Sequence, residues 1–145
     1  MIKRLDTSIL PQFALASLDI TNLYTNIPVA ETRKIIAKNF KENQTDPQSQ
    51  QELLKWYDTI TRQNYFTNKG EILIQKDRLA MGTPTSGLIA EFFLQNLENT
   101  RLTALADEHR IIKYFRYVDD ILLIYDSDHT DTQKILEDFN TVHPN

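Results

Sequence analysis

The sequence predicts an α+β fold: a small antiparallel sheet packed on helices that back one face. Three observations predict it. Short stretches rich in apolar, β-branched and aromatic residues lie near both ends, at 13–20 and 114–125, and read as strands. The segments between them carry apolar residues at helical spacing. Two adjacent acids, Asp119 and Asp120, split the second stretch where a hairpin would turn. At 145 residues the chain is one domain by length, large enough for a core.

In order, residues 1–12 are polar around a proline and predict a ragged start. Phe13–Ile20 predicts a buried strand that delivers Asp19 near its end. Residues 21–27 read as a turn, and Pro28 suits the first turn of a helix running through Phe40, with Thr32, Ile36 and Phe40 on one face. Residues 41–50 look like an exposed linker. A second helix is expected over 50–62, striped by Leu53, Leu54, Tyr57 and Ile60. Two strands, 64–68 and 71–75, are joined at Lys69-Gly70. The loop 79–87 holds two of the three glycines and leads into a long helix ending near Ala106, with a stripe of Ile89, Phe92, Phe93 and Leu97. Thr130-Asp131-Thr132-Gln133 is a capping-box pattern opening a last helix to about Phe139.

Composition narrows the chemistry. Without cysteine, disulfides and thiolate metal sites are excluded. Histidines 109, 129 and 143 have no ligand-like spacing. No apolar run approaches a membrane span, and the N-terminus lacks a signal peptide's apolar core. A net charge of −4 argues against a self-contained nucleic-acid binder, because phosphate contacts demand Lys and Arg. Either nucleic acid is not the partner or the basic parts lie outside this chain.

The chemistry-bearing residues sit where strands end or helices begin. Asp is at home in turns for its own backbone bonds, and Gly82 alone could be a loop glycine. Together they say more. If the strand ending at Asp19 neighbours the hairpin of Asp119 and Asp120, three carboxylates converge with no softer ligand among them. Such hard oxygens select Mg²⁺ or Mn²⁺. Two ions about 3.5–4 Å apart serve phosphoryl transfer by activating one oxygen and stabilising another. Glycine at 82 lets backbone approach a substrate closely.

Asp19-Ile20-Thr21-Asn22-Leu23-Tyr24-Thr25-Asn26-Ile27-Pro28, Ala80-Met81-Gly82-Thr83-Pro84-Thr85-Ser86 and Tyr117-Val118-Asp119-Asp120 resemble, in order, the three palm motifs of reverse transcriptases. The resemblance extends over nearly all of 13–143. Within that superfamily it is greatest to Penelope-like retroelements. The Thr-Asn-Ile-Pro tail, Met81 where other retroelement polymerases usually carry Gln, and Thr-Val-His-Pro-Asn at 141–145 all point there.

The resemblance implies a polymerase palm with a partial fingers segment at about 41–76, and RNA-directed DNA polymerase activity. Asp19 and Asp119 would be the principal metal ligands, Asp120 the second carboxylate of the pair, and the Ile20 carbonyl a further ligand. Tyr24 would be the steric gate that excludes a 2′-OH; a packed aromatic is the other reading of it. Met81, Gly82, Thr83 and Pro84 would line the nucleotide and template pocket. Two Mg²⁺ or Mn²⁺ ions, a dNTP, an RNA template and a DNA primer are the implied cofactors and partners, with no membrane. The residues do not fix a location; a retroelement enzyme is expected in the nucleus.

Asp77 and Arg78 depart from the small residues that relatives often have before the Gly82 loop. N-terminal fingers, thumb and any endonuclease are expected to be absent, so that the isolated chain would be inactive. Two rivals stay open: an RNA-dependent RNA polymerase palm, against which Tyr24 speaks, and a truncated, non-catalytic remnant or interaction module.

Overall fold

The computed structural model describes residues 12–74, 78–80 and 82–142. In chain order the elements are β1 (Phe13–Asp19), α1 (Leu23–Asn26), α2 (Val29–Glu42), α3 (Pro47–Arg62), β2 (Tyr65–Asn68), β3 (Glu71–Ile74) and α4 (Ser86–Leu97). A π-helical turn (Glu98–Leu102), α5 (Thr103–Glu108), β4 (Ile111–Tyr117), β5 (Asp120–Asp126) and α6 (Thr132–Phe139) follow. They form two units, one made of the described residues up to Thr21 with those from Leu97 onward, the other of Asn22–Asn96.

The first unit is built on an antiparallel sheet in the order β1-β5-β4. β5 is central, so its apolar run is paired on both edges. Strand alternation sends Ile121, Leu123 and Tyr125 to one face, where all three are buried, together with Ala16 from β1. Ile135 of α6, fully buried, seals that face, with Phe139 packed beside it. The opposite face carries Leu15, Phe115, Tyr117 and Leu122, all exposed. His109, at the C-terminal end of α5, is buried and bonded at both nitrogens, to Thr130 Oγ1 at 3.0 Å and Asp138 Oδ2 at 2.9 Å. It ties α6 to the end of α5 and has no part in the acid cluster.

In the second unit, α2 packs on α3. The Tyr57 hydroxyl donates to the Val29 carbonyl at 2.8 Å, and Arg33 grips Asp58 with two bonds at 2.7 and 3.0 Å. β2 and β3 form a separate two-stranded hairpin, every residue of which is exposed.

Several boundaries differ from the sequence reading, each for a local reason. The expected linker at 41–50 is mostly helix. α2 runs on to Glu42, and α3 starts at Pro47 because the Asp46 side chain accepts from the Gln48 and Ser49 amides. Within α3, Leu53 is exposed, and Tyr57 with Thr61 forms the buried line. Pro28 is the N-cap of α2 rather than part of its first turn, and residues 23–26 make one short helical turn. The long helix continues past Ala106 to Glu108, with the π-helical turn inside it. β4 begins three residues before Tyr114, at Ile111. The last helix is capped by Asp131, whose carboxylate accepts from the Lys134 amide; Thr130 instead serves His109. The ragged start at 1–11, the end of the second hairpin strand at Gln75, Asp77, Met81 and the C-terminal 143–145 lie outside the described residues.

Candidate active site

The register of the sheet decides which acids meet. β1 and β5 run antiparallel with Asp19 directly opposite Asp120, Ser17 opposite Leu122 and Leu15 opposite Ile124. Directly opposed residues project from the same face, their Cβ atoms about 4.5–5.5 Å apart. Asp19 and Asp120 therefore share the open face, at its end. Asp119 stands in the two-residue turn between β4 and β5, which Tyr117 and Asp120 close as a pair. Its carbonyl accepts from the Ile20 amide at 2.9 Å, stitching the turn to the residue after Asp19. The backbone thus brings Asp19, Ile20, Asp119 and Asp120 to one corner of the sheet.

The turn itself is strained. Val118 has φ 57, and it alone of the two turn residues is left-handed. That is the pattern of a II′ turn, whose first central position favours glycine. An L-residue in this region costs about 1–2 kcal/mol, and a β-branched one is a true outlier. Two bonds hold it there: the Ile20 amide on the Asp119 carbonyl, and Arg116 Nη1 donating to the Val118 carbonyl at 3.3 Å.

Arg116 lies on the packed face of β4, opposite Ile121, and its side chain is 7% exposed. Its guanidinium meets Glu98, the first residue of the π-helical turn, at 2.6 Å through Nε and 3.3 Å through Nη2. The Tyr114 hydroxyl donates to the same carboxylate at 2.8 Å. Burial, and then the hydrogen bond to Glu98, push the Tyr114 phenol above its ordinary range, so it stays a donor.

No described residue donates to the carboxylates of Asp19, Asp119 or Asp120 or to the Ile20 carbonyl. Among the described residues no three acidic or histidine side chains are gathered closely enough to hold an ion as they stand. The donor set itself fits a hard divalent cation: carboxylate and carbonyl oxygens with no competing hydrogen bond from a described residue.

In the second unit, Tyr24 is half-buried on α1. Its carbonyl accepts from the Leu79 amide at 3.2 Å. Arg78, a departure from the family pattern, donates to the Asn26 carbonyl at 3.0 Å, and its own carbonyl accepts from Asn64 at 3.4 Å. These bonds lash the approach to the glycine loop against the Tyr24 turn. In the loop, Ser86 donates to the Ala80 carbonyl at 2.7 Å, leaving its oxygen to accept from Thr83. Gly82 has φ +83, and nothing lies within 4 Å of where a Cβ would stand. Backbone conformation rather than crowding requires glycine there. Gly82 and Pro84 are exposed and Thr83 is half-buried.

Sequence reasoning marked Arg78 only as a departure and Ser86 only as part of a motif, and gave no role to Glu98 or Arg116. For Arg116 a signal existed. It shares strand parity with Tyr114, so it had to face the core, where an arginine needs an acid partner.

Residues 12–143 match the family described as reverse transcriptase (RNA-dependent DNA polymerase). Among solved structures the chain is similar to the apo telomerase of Candida tropicalis, truncated from its C-terminal domain, with a TM-score of 0.66 at 17% identity. The alignment covers 89% of this chain and 27% of that one, so the chain spans about a quarter of its structural relative. At that identity the likeness establishes the mixed helix and small-sheet, palm-like fold. A comparison with curated proteins finds no match.

Proposed function

The chain belongs to the reverse transcriptase family, and from that premise we propose that it is the palm of an RNA-directed DNA polymerase of a Penelope-like retroelement. The observation that carries this reading is the strand register, which sets Asp19 against Asp120 and pins Asp119 beside Ile20. The Thr25–Pro28 tail and the Met81–Pro84 loop support the narrower assignment; a nuclear site of action is what a retroelement enzyme would have.

In this reading a primer 3′-OH attacks the α-phosphate of a dNTP and pyrophosphate leaves. Asp19, Asp119 and Asp120, with the Ile20 carbonyl, would hold two Mg²⁺ or Mn²⁺ ions. Bound there, the ions supply Lewis-acid stabilisation and lower the pKa of a coordinated oxygen. The chain's own part is placement. The sheet corner fixes where the acids start, and positioning provides most of what protein groups contribute to phosphoryl transfer. Tyr24 acts as the gate under the sugar, its turn held by Arg78 and Leu79. Met81, Gly82, Thr83 and Pro84 line the nucleotide and template pocket, the left-handed Gly82 shaping that loop. Residues 41–76 take the place of a fingers segment, and the RNA template and DNA primer find most of their phosphate contacts elsewhere, since this chain has a net charge of −4.

Primer extension by a polymerase carrying this palm tests the reading. It should use dNTPs with Mg²⁺ on an RNA template, and Tyr24→Ala should admit rNTPs with little loss of dNTP use. Preference for rNTPs in the unmodified enzyme would favour the RNA-polymerase reading, and absence of any synthesis would favour the remnant. An unchanged sugar selectivity in Tyr24→Ala would reduce Tyr24 to a packing residue.

A further inference from the structure

We propose that Arg116, clamped by Glu98, is a positioning residue that sets the Val118–Asp119 turn and with it the spacing of the three acids. The inference rests on the metal-site reading above and extends it to residues on the other face of the sheet. Four observations carry it. Arg116 reaches the strained residue itself: Nη1 donates to the Val118 carbonyl at 3.3 Å. A residue at φ 57 with a β-branched side chain persists only where its surroundings over-determine it. An arginine side chain only 7% exposed on a packed strand face is costly unless charge-paired, and a leucine or methionine would fill the same space more cheaply. Finally, the guanidinium is held from below by both Glu98 oxygens, at 2.6 and 3.3 Å, while Tyr114 steadies that carboxylate at 2.8 Å.

The fork geometry is what the job needs. A guanidinium can bond a carboxylate with two nitrogens and a carbonyl with the third. The chain Glu98–Arg116–Val118 then transmits the position of the π-helical turn to the acid-bearing turn. Its assigned role is to act through the backbone of Val118.

The test uses the full 145-residue chain and Mn²⁺ alone, with free ion read by electron paramagnetic resonance and the turn read by the amide resonances of Val118 and Asp119. The double variant Glu98→Gln/Arg116→Met removes both charges, so neither member of the pair is left as a lone buried ion. It should keep its unfolding midpoint close to that of the unmodified chain, yet weaken Mn²⁺ binding about tenfold and shift both amides. Arg116→Lys keeps a cation for Glu98 without the fork, and should weaken binding by a smaller factor. Arg33→Met/Asp58→Asn, which removes an ion pair in the other unit, should leave Mn²⁺ affinity alone. Unchanged affinity in the double variant, or in Arg116→Lys should the double variant unfold, overturns the inference if Asp120→Asn does weaken binding. Unchanged affinity in Asp19→Asn and Asp120→Asn as well overturns the acid site itself, and the inference with it.

Discussion

Among the described residues two hairpins each reverse over two residues, by opposite routes. Between β2 and β3 the turn residues are Lys69, at φ 51, and Gly70, at φ 85. Two positive values in succession make a I′ turn, whose twist suits the strands and whose chemistry the glycine supplies. None of its strand residues is buried, and Ile72 is 73% exposed. Between β4 and β5 the left-handed position is filled by Val118, about the least suitable residue type, yet Leu123 behind it is fully buried. Where a turn only reverses the chain, local preference and structure agree. Where it must present acids, the core, Arg116 and the Ile20 amide override local preference.

The largest expected effect lies at the acids. Asp19→Asn or Asp119→Asn, in a polymerase carrying this palm, should cut primer extension by about 10³-fold or more, since the metal supplies several kcal/mol. The fold should hold or gain stability, because like-charge repulsion is relieved. Melting curves and extension assays on the same preparations check both halves; activity near that of the parent enzyme would break the contrast between the hairpins.

Exchanging the turn chemistry comes next. Val118→Gly should stabilise the chain by up to about 1 kcal/mol, the relief of strain offset by glycine's entropy. Gly70→Val should destabilise it by about 1–2 kcal/mol. Chemical denaturation of the two variants reads these opposite signs. Equal signs would mean that the turns are not differently built.

Much of this was legible beforehand, because the strands at both ends are short apolar, β-branched and aromatic runs and the acids sit where those runs end. Asp19 could be placed at a strand end from Phe13–Ile20 alone. What was not legible depends on register and long-range pairing. That Asp19 opposes Asp120 rather than Asp119 follows from a two-residue turn, a length that the sequence around Val118 does not advertise. The polar run at 41–50 read as linker because its helix signal is one cap, Asp46 before Pro47, and the apolar stripe of that helix begins only at Leu53. Glu98 and Arg116 are eighteen residues apart, and only folding makes them partners.

The smallest effect is electrostatic. The Arg33 hydrogen bond holds the Asp58 carboxyl below its ordinary range. A depressed carboxylate contributes stability that is present above its unfolded pKa, about 4, and is lost as pH falls through the folded value. The pair is partly exposed, at 41% and 27%, so its worth is about 0.5 kcal/mol or less and shrinks in salt. Asp58→Asn should therefore flatten slightly the fall in melting temperature between about pH 5 and pH 2. A fall that is unchanged at low salt would show the pair contributes nothing.

The central claim is that one corner of the β1-β5-β4 sheet is a divalent-metal site. A crystal of the protein soaked with Mn²⁺ and a deoxynucleoside triphosphate addresses it directly through anomalous scattering. The expected result is a peak with oxygens of Asp19 and of the Asp119-Asp120 pair about 2.0–2.2 Å away. Manganese bound only elsewhere, with these carboxylates left in solvent, would contradict the account.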